Sequence, residues 1–164
     1  MYNRVMRGFS LVEILVSVAV LIVSFVSILT AFQVGLKHGR GSMENIQATA
    51  LAEEGMETMT SLRDAGWSNL SSLEAETEYD LRWSGAQWET TQTPQMIDDV
   101  FRRTVAVNDV YRRDSDKDIV PQDSPDAKSI DAGTKKVTVR VSWATTTPPG
   151  REKIMRTYLM NLFQ

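Results

Sequence analysis

Near the N-terminus the chain reads Gly8-Phe9-Ser10-Leu11-Val12-Glu13, and the 23 residues from Ile14 to Leu36 that follow carry no charge. At the helical rise of about 1.5 Å per residue this run is roughly 35 Å long, enough to cross a bilayer core of about 30 Å. Arg4 and Arg7 stand just before it. Because basic flanks stay in the cytoplasm, the run predicts a single-pass helix in the cytoplasmic membrane, with the C-terminal domain outside the cytoplasm.

Two features of this run are unusual for a plain lipid anchor. Glu13 lies at its N-terminal edge, where a carboxylate is costly in lipid and usually has a function. Small hydroxyl residues are spread through the run, and such residues allow helices to approach closely and bond to their own backbone carbonyls. They are Ser17, Ser24, Ser27 and Thr30.

The composition excludes several kinds of site. Of 164 residues, 18 are basic and 21 acidic, giving a net charge of −3 that argues against a nucleic-acid partner. The sequence has no cysteine and a single histidine, His38. Disulfides, thiolate catalysis, His-based triads and multi-His metal sites are therefore excluded within this chain.

Between residues 42 and 63 small and apolar side chains recur at spacings of three and four, as on one face of a helix. Gly66 then marks a helix end. We expect an amphipathic helix that packs on a sheet and that, if it continues the first helix, forms one helix from about residue 9 to 64. Its apolar face comprises Ala48, Leu51, Ala52, Gly55, Met56, Met59 and Leu62.

Beyond residue 67 the periodicity changes from helical to alternating, which indicates an antiparallel sheet of about four strands. Residues 135–144 give the clearest strand, with Val137, Val139, Val141 and Trp143 on one face. The Pro-Gly turn after it predicts a hairpin with a final strand over 153–163. We expect residues 113–133 to form a polar loop. The earlier strands are expected at 79–83 and at 101–111, with a short strand at 87–93 between them. In the strand over 101–111, Tyr111 falls on the same face as Val107.

Asp114, Asp116 and Asp118 have the alternate spacing of a Ca²⁺-binding loop. Ile119 stands where EF-hand loops have glycine, and Lys117 adds a positive charge. We therefore expect a solvated acidic loop, with a Ca²⁺ site as the alternative and no other cofactor. No phosphate-binding or nucleophile motif is present, and the four tryptophans are expected in the core and at its rim, because their spacing does not support a carbohydrate surface.

The stretch Gly8-Phe9-Ser10-Leu11-Val12-Glu13 resembles the prepilin cleavage and methylation motif of type IV pilins and type II secretion pseudopilins. In that family a short basic leader ends in glycine, a phenylalanine usually follows, and a glutamate is fifth in the mature chain. Here these residues are Gly8, Phe9 and Glu13, and the apolar run follows at once. A long helix followed by an antiparallel sheet also matches the family's pilin fold.

The resemblance implies a processing and assembly sequence. A prepilin peptidase would cut between Gly8 and Phe9 on the cytoplasmic side, and the new amino group of Phe9 would be N-methylated. Glu13 would neutralise the N-terminal amine of a neighbouring subunit in the filament. The implied partners are membrane lipid before assembly, then an inner-membrane assembly platform and other pilin or pseudopilin subunits, in a filament that is periplasmic or on the cell surface.

The chain departs from many major pilins in two respects. It has no proline from Phe9 to Thr93, where those pilins have a kink, and it has no cysteine to close a C-terminal loop. Its Val-x-Val-x-Val-x-Trp strand, Pro-Gly turn and closing strand look more like minor pilins and the I-type minor pseudopilin. The expected parts are an α+β fold with a leader (1–8), a membrane and filament-core half-helix (9–36), an amphipathic half-helix (37–66) and a sheet domain (67–164).

Two other classes of function are weighed against a filament subunit. One is a signal-anchored extracytoplasmic binding module for Ca²⁺ or carbohydrate that does not form filaments. The other is an anchored enzyme, which the lack of any nucleophile–base constellation disfavours.

Overall fold

The fold begins with one long helix. The computed structural model describes residues 10–143 and 150–162, and within them α1 runs from Leu11 to Ala65. The carbonyl of Ser10 accepts hydrogen bonds from the backbone N–H groups of Glu13 and Ile14, at 2.9 and 3.2 Å, which closes the first turn. The chain divides into two units, one ending at Glu44 and the other beginning at Asn45, so α1 contributes to both.

The second unit contains a four-residue helix, α2 (Ser68–Ser71), and an antiparallel sheet of seven strands. The order of the main strands is β2-β1-β4-β6-β7, with β3 and β5 both paired to β4. The chain is therefore α+β, as its pattern predicts. The strands are β1 (Glu78–Trp83), β2 (Trp88–Thr91), β3 (Met96–Ile97), β4 (Phe101–Arg113), β5 (Ile119–Val120), β6 (Lys128–Trp143) and β7 (Arg151–Met160).

The expected number of about four strands is too low. β3 and β5 have two residues each, too few to show an alternating pattern of their own, and they exist because β4 offers free backbone groups at both ends. The expected loop over 113–133 is also wrong, since it contains β5 and the first part of β6. That part of β6 has no fully buried residue, and its polar sequence therefore resembles a loop.

The pairing of β4 with β6 is interrupted beyond Asp109, where residues 132–134 of β6 have no partner in β4. Val110 lies on the face of β4 opposite Val107, and it is buried there, outside the core cluster between α1 and the sheet. Tyr111, on the face of Val107, is only half-buried. Burial at this end of β4 therefore does not follow the face that the alternation over 101–111 predicts.

The core of the second unit lies between α1 and one face of the sheet. The predicted stripe of α1 supplies Ala48, Ala52 and Met59, all fully buried, while Leu51, Met56 and Leu62 pack partly buried around them. The opposite wall comes mainly from β4 and β6, and the predicted face of β6 is confirmed. Its buried members include Val105, Val107, Val137, Val139, Val141 and Trp143.

At Gly55 this part of α1 comes close to the sheet. A Cβ atom at Gly55 would lie 2.8 Å from Val139 Cγ1 and 3.1 Å from Arg103 Cδ. Both distances are shorter than normal carbon–carbon contacts of about 3.5–4.0 Å. The glycine is therefore required by packing, although it costs about 1 kcal/mol in helix propensity.

We predict that Gly55→Ala destabilises the sheet domain. The overpacking cost of about 1–3 kcal/mol outweighs the gain of about 1 kcal/mol in helix propensity. Gly39→Ala is the matched control, because Gly39 is also helical but a Cβ there meets nothing within 4 Å. The measurement is denaturant unfolding of the full chain in detergent, followed by tryptophan fluorescence. A Gly55→Ala protein as stable as the control would contradict this packing.

Candidate functional site

Glu13 lies in the first turn of α1, and its side chain is exposed. The first-turn position suits a carboxylate, because the unpaired N–H groups at a helix N-terminus carry partial positive charge. Within residues 10–143 and 150–162 its carboxylate has no hydrogen-bond or ion-pair partner. Gly8 and Phe9, the expected processing residues, lie outside the described residues.

The apolar residues of α1 between Leu11 and Leu36 are exposed on all sides of the helix. Their large hydrophobic side chains are 46–73% exposed, and the segment is long and apolar enough to cross a membrane. Covering one such side chain is worth about 1.5–3 kcal/mol. This surface therefore requires lipid or another protein against it, and α1 fits a single-pass membrane anchor.

The hydroxyl groups within this segment are satisfied by the helix itself. Ser17, Ser24, Ser27 and Thr30 each donate to the carbonyl four residues earlier, at 2.7–2.9 Å. A hydroxyl that already has a partner can face lipid or a neighbouring helix without a large desolvation cost. The surface of this segment is thus apolar in practice, with small residues that permit close helix packing.

In the second unit, the helix is tied to the sheet by a buried arginine. Arg103 is 3% exposed, and its Nη1 donates to the carbonyl of Leu51 at 3.2 Å and to Glu54 Oε2 at 2.7 Å. Its guanidinium carbon lies 5.2 Å from the ring centre of Trp88, a cation–π distance. The sequence signal was its position between Phe101 and Val105 on the apolar face of the strand, where a charge needs a partner.

A second ion pair lies on the other face of the sheet, and sequence analysis did not single it out. Asp80 is fully buried and accepts two hydrogen bonds from Arg102, Nε to Oδ1 at 3.1 Å and Nη2 to Oδ2 at 2.8 Å. The backbone N–H of Gln95 donates a third at 3.0 Å. The hydrogen bond to Asp80 raises the pKa of Arg102. This pair joins β1 to β4 and is structural.

One aspartate of the candidate Ca²⁺ loop, Asp116, is paired with an arginine. Arg113 contacts Asp116 at 2.6 Å and Asp126 at 2.9 Å. The backbone N–H of Asp118 donates to Asp116 Oδ1 at 3.1 Å, and this bond, followed by Arg113, lowers the pKa of Asp116. Among the described residues no three His, Asp or Glu side chains are grouped to hold a metal ion. The geometry is that of an ion-paired turn and does not bring Asp114, Asp116 and Asp118 together as ligands.

Comparisons of the chain with protein-family models, curated proteins and solved structures found no match. Function is therefore inferred from the residues and their geometry.

Asp131 makes the stability of the sheet domain depend on pH. Its Oδ2 accepts a 2.6 Å bond from Arg112 Nε, and its Oδ1 accepts from the backbone N–H of Gly133. The bond to Arg112 is the main cause that lowers the pKa of Asp131. A lowered folded-state pKa means that the stabilisation is present above the unfolded value of about 3.9 and is lost as the pH falls through the folded value.

We predict that Asp131→Asn lowers the free energy of unfolding near pH 7 by up to about 1 kcal/mol, since both partners are partly exposed. The difference from the parent chain should shrink as the pH falls below about 4. Asp123→Asn is the control, because the Asp123 side chain is exposed and has no ion pair among the described residues. Parallel pH profiles for parent and Asp131→Asn in denaturant unfolding would contradict this assignment.

Proposed function

We propose that this chain is a structural, non-enzymatic subunit of a filament of the type IV pilus or type II secretion kind, a minor pilin or pseudopilin. The observation that carries the proposal is an uncovered apolar helix with a lone carboxylate in its first turn, directly after Gly8-Phe9. A prepilin peptidase would cleave between Gly8 and Phe9. We interpret the long helix followed by the antiparallel sheet as a pilin fold.

The two environments in such a function account for the apolar surface of α1. Before assembly, lipid covers the segment and the subunit is held in the cytoplasmic membrane, with its sheet domain outside. During assembly, helices of neighbouring subunits replace the lipid. The exposed aliphatic side chains suit both lipid and neighbouring helices. The hydroxyl groups suit both as well, because each is already bonded to the helix backbone and is not left unpaired in either environment.

Glu13 has a specific role in this proposal. Cleavage before Phe9 creates an amino group, and the carboxylate of Glu13 in the adjacent subunit would pair with it inside the filament. An ion pair in an apolar setting costs far less than either charge alone, and removing one partner strands the other. The carboxylate is therefore needed for assembly into a filament, whereas a helix that only anchors the chain in a membrane does not need it.

A signal-anchored module that forms no filament is the rival function. It would use the same helix only to stay in the membrane, so its residues 8–13 would be dispensable. The filament proposal requires both Gly8 and Glu13, and the two proposals therefore differ in their response to substitution at Glu13.

We predict that Glu13→Val leaves membrane insertion intact but reduces incorporation into filaments at least tenfold, since stranding a buried charge costs about 3–5 kcal/mol. Glu13→Gln, which retains a hydrogen-bond acceptor, should fall between Glu13→Val and the parent. The measurement is the share of the protein in sheared filaments relative to membranes of the host cell.

Ser17→Ala is the matched control, one turn further along the same helix. It keeps a small side chain and removes only a hydroxyl that donates to the Glu13 backbone carbonyl, so we expect parental incorporation. If Glu13→Val is incorporated as well as Ser17→Ala, Glu13 is not the partner of the amine. If none of these proteins, including the parent, enters filaments, the chain is not a filament subunit.

A further inference from the structure

A cleft of about 700 Å³ lies in the second unit, between the C-terminal end of α1, α2 and the β1–β2 hairpin. Its size is within the range of about 300–1,000 Å³ that is typical of ligand sites. The proposed filament function does not use this cleft. The lining residues on which the argument depends are Trp83, Gln87 and Trp88 on the hairpin and Asn69 on the helical side.

Two tryptophans form the aromatic wall of the cleft. Trp83 and Trp88 are directly opposite each other in the hairpin, with ring centres 5.5 Å apart and planes at 66°, an edge-to-face pair. Trp88 is held from behind by the core and by Arg103. Trp83 is 54% exposed. Trp88 therefore supports the pair from the core side, and the indole ring of Trp83 is left as an exposed, rigid platform.

Polar groups in fixed positions surround this platform. In the hairpin loop, the backbone N–H and the hydroxyl of Ser84 both donate to the carbonyl of Gln87, at 2.9 and 3.0 Å, and Gly85 permits the turn with φ of +95°. On the other wall, Asn69 Nδ2 donates to the carbonyl of Leu62 at 3.0 Å. This bond orients the amide and leaves its oxygen as an acceptor. The cleft thus offers amide donors and acceptors on both sides.

The lining of the cleft is largely uncharged. Glu89 follows Trp88 in β2 and pairs at 3.0 Å with Arg82, which precedes Trp83 in β1, so this ion pair lies on the opposite face of the hairpin from the two tryptophans. Among the described residues that line the cleft, no other is charged. An uncharged ligand with many hydroxyl groups fits such a lining best.

We propose that the cleft binds a neutral oligosaccharide, with one sugar ring stacked on Trp83 and its hydroxyl groups bonded to Gln87 and Asn69. The apolar C–H face of a pyranose carries slight positive charge and complements the negative face of an indole ring. Hydroxyls can both donate to amide oxygens and accept from amide N–H groups. This combination of an exposed indole and balanced polar groups distinguishes the cleft from an ordinary hydrophobic groove.

The test is titration of the full chain with cellotetraose, maltotriose and triacetylchitotriose, in a detergent without a sugar headgroup, followed by tryptophan fluorescence. We expect saturable binding of at least one of them. Trp83→Ala should weaken it about tenfold or more, as expected for loss of a stacking platform, while Trp83→Phe should weaken it less. Gln87→Ala, an exposed loop substitution, should also weaken binding.

Tyr158→Ala is the matched control, because Tyr158 is another exposed aromatic residue of the sheet and does not line this cleft. We expect it to bind like the parent. The proposal is overturned if no sugar binds at millimolar concentrations. It is also overturned if Tyr158→Ala weakens binding as much as Trp83→Ala, or if a proline-rich peptide saturates the cleft while the sugars do not. Gln87→Ala keeps the test valid if Trp83→Ala fails to fold.

Discussion

This molecule depends on the burial of the apolar surface of its N-terminal helix, which the chain cannot achieve by itself. Between Leu11 and Leu36 the helix exposes apolar side chains on every side, and no described residue covers them. At about 1.5–3 kcal/mol for each buried aliphatic side chain, a free helix of this kind in water is strongly unfavourable. The environment of the first unit must therefore be lipid or other chains, and any function has to begin from this requirement.

The second unit, in contrast, has a hydrophobic core of its own. Its core closes through a small-residue face of α1, where Gly55 lets the helix approach Val139 and where Arg103 bonds to the helix backbone. No disulfide contributes, since the sequence has no cysteine. Because its own helix and sheet cover this core, the cleft beside Trp83 can serve binding. The residues that anchor the chain in the membrane are therefore separate from those proposed to bind a ligand.

The sequence was informative wherever a regular period decides burial. The three-and-four stripe of α1 and the alternating valines of β6 were predictable because each face follows from local spacing. Val110 is buried outside the core beside α1, and the two-residue β5 is stabilised by its pairing with β4, so neither has a local signal in the sequence. The partners of Arg103 are about 50 residues away in the chain, and the pairing of Trp83 with Trp88 depends on the hairpin register. Such features require the three-dimensional structure.

The central claim is that residues 8–13 are a processing and assembly signal and not only the start of an anchor. The most direct measurement is the intact mass and N-terminal sequence of the protein purified from the membranes of its host cell. The account predicts that residues 1–8 are absent and that the chain begins at Phe9 carrying an N-methyl group. An intact N-terminus at Met1, in cells that assemble the filament, would contradict it.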